Sequence, residues 1–284
     1  MTTRDMVNIA LRLAGLEEDT VDTEIGCGGD CVKRVLAGID MDNATLLAAK
    51  DRGYDCVVEH HGIMGRAVRI GDQMLKDQMM RMYEFGVPIN VAQKAIAKRA
   101  RQESEKMHSK NLNRQADFAQ FIQMPYIGLH TPADLIGQAL VQERMDALTK
   151  DRPFTTLQEV VDALGEFPEV RAAVQDPVIR VGQPDSYAGR VCVLFAGVTG
   201  GGAQVYKTFF DYGVGTLIMM HMPEDDIKAL TEHNKGNVII AGHMASDSIG
   251  MNRILDAWEA EGLEITRIGG LTGGGAGNDM SDEE

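Results

Sequence analysis

The feature that most constrains this chain is an order of parts that occurs twice. Each time, a short apolar run ends in histidine, and a helix opening with an acid four residues later follows. Tyr126-Ile-Gly-Leu-His130-Thr-Pro-Ala-Asp134 pairs with Ile239-Ile-Ala-Gly-His243-Met-Ala-Ser-Asp247. Upstream of each lies a strand pattern, a helix pattern, a glycine and a second strand pattern. Gly53 leads in this way to His60-His61, and Gly213 leads to His221. Aligning the two glycines sets His61 opposite His221. Such alternation of strands and helices predicts two similar α/β lobes with parallel-rich sheets flanked by helices.

At 284 residues the chain exceeds a single domain of roughly 150 residues. The boundaries read as a first lobe over 1–150, a helical connection over 151–189, a second lobe over 190–268, and a disordered, Gly-rich, acidic tail over 269–284. Strand patterns fall at 32–39, 55–59, 87–91, 126–129, 191–197, 216–220, 238–241 and 263–268. Helix patterns fall at 74–85, 133–149, 155–165, 224–233 and 244–260. Residues 93–120 read as helical and exposed. The net charge of −14 opposes phosphate backbones and anionic membranes, so no nucleic-acid or membrane partner is expected. No apolar run reaches the roughly 20 residues of a membrane span, and the N-terminus lacks the apolar core of a signal peptide. A cytoplasmic location is expected.

Open parallel sheets bind ligands at the carboxyl ends of their strands. Five of the seven histidines follow apolar strand patterns: His60, His61, His130, His221 and His243. The i,i+4 spacing puts the histidine and acid of each H-x-x-x-D on one helix face. Imidazole and carboxylate together suit borderline divalent cations such as zinc, iron, manganese, cobalt or nickel. The competing reading is a helix cap or a surface pair. The repeat weighs against it, because the pattern recurs at matching places. His130 and His221 read as donors that orient the ligands. Thr199-Gly200-Gly201-Gly202 can be an anion-holding turn, but it lacks a P-loop lysine and reads better as a strand-to-helix turn.

Val58-Glu-His60-His61-Gly, Leu129-His130-Thr-Pro-Ala-Asp134, the glycine-rich turn after 191–197 and Ala241-Gly-His243-Met-Ala-Ser-Asp247 resemble the NIF-three-like family, whose members are often described as GTP cyclohydrolase type two homologues. The likeness spans about 6–268. It implies a dinuclear metal centre in which His60 and His61 bind different ions, Asp134 binds one ion and His243 the other. Asp247 stands where the family commonly has a glutamate bridging both, and Gly62 where it usually has proline. His130 fits an orienting role. The resemblance also implies a homo-hexamer with its metal sites facing an inner cavity. The expected function is a metal-dependent hydrolase acting on a nucleotide or similar small molecule. A non-catalytic metal carrier or regulatory scaffold is the alternative.

Overall fold

The computed structural model describes residues 1–197 and 200–274. In chain order the strands are β1 (Thr23–Cys27), β2 (Arg34–Gly38), β3 (Cys56–Glu59), β4 (Tyr126–Leu129), β5 (Val178–Val181), β6 (Val191–Leu194), β7 (Thr216–Met219), β8 (Asn237–Ile240) and β9 (Glu264–Ile268). The helices are α1 (Thr3–Leu13), α2 (Asn43–Asp51), α3 (Ile70–Glu84), α4 (Ile89–Met107), α5 (Arg114–Phe121), α6 (Thr131–Thr149), α7 (Leu157–Leu164), α8 (Pro168–Arg171), α9 (Ala203–Asp211), α10 (Glu224–His233) and α11 (His243–Ala260). No helix among the described residues is long and apolar enough to cross a membrane.

The repeat is realised in the topology. One sheet has the order β1-β4-β3-β2-β9, the other β5-β8-β7-β6. In each, three parallel strands carry an antiparallel strand on the same edge, and that strand is bulged. The halves differ where β9 pairs in parallel with β2. The last strand, expected in the second lobe, therefore completes the first sheet. The stretch 151–189, expected to be a helical connection, contains β5, the counterpart of β1. Of the tail expected to be disordered, residues 275–284 lie outside the described residues. Its start is packed: Thr272 Oγ1 donates to the Glu169 carbonyl at 2.9 Å, and Asn252 Nδ2 donates to the Thr272 carbonyl at 2.9 Å.

Two segments differ from expectation for local reasons. Residues 87–91 are no strand: Pro88, with no N–H to give a sheet, stands before the first turn of α4. Residues 93–120 are helical but not wholly exposed. Ala95, Ile96, Ala100 and Met107 are buried, and their small, helically spaced stripe is hidden in a polar composition.

Five layers result. α2 and α5 cover the outer face of the first sheet around Leu46, Val57, Ala119 and Tyr126. α1, α6 and α11 cover its inner face around Met6, Val58, Ile127, Ile254 and Trp258. The same α6 and α11, through Val141, Ala245 and Ile249, pack on Val193, Ile218 and Ile239 of the second sheet. α3, α4, α9 and α10 close the far side around Met74, Ile96, Phe209 and Leu217. Trp258, fully buried, anchors α11 by donating its indole N–H to the Met6 carbonyl at 3.1 Å.

Helices α6 and α11 carry Asp134, His243 and Asp247 on their first turns, with His130 just before α6, so their spacing sets the site. They touch at glycines. A Cβ on Gly250 would run into the Ala133 carbonyl, and one on Gly137 would lie 3.2 Å from the Ser246 carbonyl. Gly250→Ala is therefore expected to cost about 2 kcal/mol or more through overpacking. Urea denaturation checks this, and a loss within about 0.5 kcal/mol contradicts it.

Candidate metal centre

The ladder between β2 and β3 continues past both strands. The His60 amide donates to the Gly38 carbonyl at 2.9 Å and the His61 amide to the Ile39 carbonyl at 3.0 Å. Two successive imidazoles are thus held on rigid backbone. Beneath them Glu59, 3% exposed, accepts from the Met41 amide, the Gln115 side-chain amide and the Tyr126 hydroxyl. Burial raises its pKa against these three donors.

The ring orientations follow from the partners of Nδ1. His60 Nδ1 lies 3.1 Å from the Leu129 carbonyl, which can only accept, so that nitrogen carries the proton. His61 Nδ1 lies 2.8 Å from Asp40 Oδ1. Both Nε2 lone pairs are left for the centre, as in metal-binding histidines braced by a carbonyl or carboxylate.

Two sets of donors converge. His60 Nε2 is 3.3 Å from Asp134 Oδ1 and 3.7 Å from Asp247 Oδ1. His61 Nε2 and His243 Nε2 are each 3.4 Å from Asp247 Oδ2. His60, Asp134 and Asp247 can hold a metal ion, as can His61, His243 and Asp247, so Asp247 belongs to both sets. His60, His61 and His130 form a third possible set. Two ligand bonds of about 2.1 Å at a tetrahedral angle put their donors about 3.4 Å apart. The observed separations match that edge and exceed a normal hydrogen bond. His60 Nε2, Asp134 Oδ1 and both oxygens of Asp247 are buried without a hydrogen-bond partner. Such groups are costly unless a ligand compensates them. The residues therefore fit divalent cations.

Gly242 shapes the approach to α11. It stands before His243 at φ +95°, a conformation open to glycine, and turns the chain from β8 into the helix.

His130 precedes α6 and stacks on His60, with ring centroids 4.5 Å apart and planes 14° apart. Its Nδ1 is 3.0 Å from Asp22 Oδ2, a charge contact poorly aligned for hydrogen bonding, and 3.5 Å from Asp134 Oδ2. Asp22, 2% exposed, also accepts the Thr20 hydroxyl at 2.6 Å and the Thr131 hydroxyl at 2.8 Å. Burial pushes Asp22 up, but His130 and the hydroxyls outweigh it and hold the carboxyl at about 2. Burial pushes His130 down, but Asp134, Asp22 and Asp247 outweigh it and raise the imidazole to about 10. Neither Asp22 nor Asp40 stands out in the sequence. Asp22 sits in a run, Glu-Glu-Asp-Thr-Val-Asp-Thr-Glu, that looks like a solvated acidic loop.

His221 is exposed and stands outside the three sets. Its ring centroid is 4.9 Å from that of His243, on the side given by the repeat. A cavity of about 250 Å³ opens over the centre. It is reached from the carboxyl ends of strands in both sheets: His61 after β3, His130 after β4, Ala196 after β6, His221 after β7 and His243 after β8 all line it. Thr199, from the glycine-rich turn, lies outside the described residues, whereas Gly200 and Gly201 line the cavity.

Paired α/β sheets that bury an imidazole–carboxylate centre between their carboxyl ends define the class. The chain is 30% identical to a NIF3 superfamily protein from Sphaerobacter thermophilus, with a TM-score of 0.92 over 95% of this chain and 99% of that one. It belongs to the NIF3 superfamily. Two more distant structures share the fold. A Bacillus cereus protein related to NIF3 matches at 10% identity and TM-score 0.50, over 94% of this chain and 96% of that one. Reduced HcgD from Methanocaldococcus jannaschii matches at 11% identity and TM-score 0.56, over 94% and 97%. No family model and no curated protein matches the chain.

The Asp22–His130 pair gives a pH signature in the chelator-treated protein. His130 is raised from 6.5 to about 10, so its stabilisation is complete below 6.5 and is lost as pH rises through 10. Asp22 is lowered from 3.8 to about 2, so its share is present above 3.8 and is lost as pH falls through 2. Stability should fall between pH 6.5 and 10 more steeply in the wild type than in Asp22→Asn. Parallel denaturation curves for the two would contradict the pairing.

Proposed function

We propose that this protein is a metal-dependent hydrolase with a dinuclear centre. His60, Asp134 and Asp247 would hold one divalent cation, and His61, His243 and Asp247 the other. The observation that carries this reading is Asp247: a fully buried carboxylate whose two oxygens lack hydrogen bonds and face different imidazoles. The donor set suits zinc, iron, manganese, cobalt or nickel. Cations held there supply Lewis acidity and activate water near neutral pH.

The chain's own residues supply the rest. Asp40 and the Leu129 carbonyl keep His61 and His60 in the tautomer that presents Nε2. His130, held through Nδ1 by Asp22, has Nε2 left to exchange a proton with a substrate in the cavity. His221, exposed beside His243, offers a second route for that proton to bulk water. The cavity over the centre favours turnover above a closed structural or carrier site, which needs no open approach. By the family resemblance the substrate is a nucleotide or similar small molecule and the assembly a homo-hexamer, which native mass spectrometry tests; the location proposed from the sequence pattern is cytoplasmic.

Elemental analysis of the purified protein should find about two divalent ions per chain. Asp247→Ala should lose both ions, while His61→Ala and Asp134→Ala should each lose about one. Hydrolysis should disappear with the metal. Wild-type metal content in folded Asp247→Ala, or full hydrolysis in a metal-free variant, contradicts the reading.

A further inference from the structure

The cavity over the centre has two unlike faces. One is the centre itself, with His61, His130 and His243. The other is apolar and comes from the second sheet and α9: Leu194, Phe195, Phe209, Met219 and Met220. Phe195, Phe209 and Met219 are held by burial, at 6%, 1% and 4% exposure, so this wall is rigid. Leu194 and Met220 are half-buried and line the cavity.

The cation inventory is short. Among the described residues lining the cavity, Arg81 is the one lysine or arginine; both its Nη atoms are engaged, while Nε is buried without a hydrogen-bond partner. Nη1 is 3.0 Å from Glu84 Oε2, Nη2 donates to Gln142 Oε1 at 2.6 Å and to the Val193 carbonyl at 3.0 Å, and its face lies 4.6 Å from the Phe85 ring. Apart from the histidines of the centre, a polyphosphate tail meets no lysine and no arginine fork free to grip it there. At about 250 Å³ the cavity also falls below the roughly 300–1,000 Å³ typical of pockets for drug-sized ligands.

We infer that the substrate is a compact molecule with one oxygen-bearing head and an uncharged, ring-sized apolar body. The head meets the centre, and the body lies on the wall formed by Leu194, Phe209, Met219 and Met220. This rests on the metal reading and narrows it, from a nucleotide or similar small molecule to one without a polyphosphate. Ring burial against that wall orients the head, and the wall selects by shape and apolarity.

Two hydroxamates with the same chelating head separate head from body: acetohydroxamate carries a methyl group and benzohydroxamate a phenyl ring. Calorimetric titration of the manganese-loaded protein should show benzohydroxamate binding about tenfold or more tightly. Leu194→Ala and Met220→Ala should each cut that advantage to about threefold or less, with acetohydroxamate affinity unchanged. Equal affinity for the two ligands, or an advantage untouched in both variants, overturns the inference while leaving the centre intact. Failure of both hydroxamates to bind overturns the metal reading, and the inference with it.

Discussion

Everything in the site depends on carboxylates withdrawn almost wholly from solvent. Asp134 is 3% exposed and Asp247 1%, and Asp22 lies behind them at 2%. A buried anion is expensive unless charge and hydrogen bonds compensate it. Asp22 meets that cost with two hydroxyls and His130. Asp247 has no donors, only imidazoles at 3.4 to 3.7 Å. Burial pushes its pKa up, yet His60, His61 and His243 outweigh this and bring it below the ordinary value. The carboxylate is thus kept ionised and uncovered, in the form that cations require.

The repeat explains how distant residues reach one point. Each half brings the carboxyl ends of its parallel strands to the same cleft, and α6 and α11 are its two equivalent helices, in contact at Gly137 and Gly250. The halves are unequal in use. His60 and His61 join the donor sets, whereas His221, their counterpart, stands beside His243. The second half gives its remaining strand ends to the apolar wall instead. The return of β9 to β2 and the hold of Trp258 on Met6 tie the halves together, which fixes the distance across the cleft.

The parts most legible in the sequence were those whose chemistry is local. Apolar runs ending in histidine mark β3, β4, β7 and β8, and the i,i+4 acid marks the starts of α6 and α11, because strand and helix periods are written in neighbouring residues. What depends on partners across the fold was not legible. Val178–Val181 is a four-residue strand between Pro177 and Gly182, and it becomes one by pairing with β8. Nothing in Glu264–Ile268 says which sheet it joins. Asp22 and Asp40 take their roles from histidines 108 and 21 residues away, so an acidic loop and a turn conceal them. Val87–Val91 misleads because β-branched residues around a proline carry strand propensity, while packing of α4 on α3 decides the outcome.

The proposed centre turns on Asp247 standing between two cations. Anomalous diffraction from crystals grown with manganese tests it most directly. Two peaks should flank the Asp247 carboxylate, one against His60 and Asp134, the other against His61 and His243. A single peak, or none at that carboxylate, would contradict it.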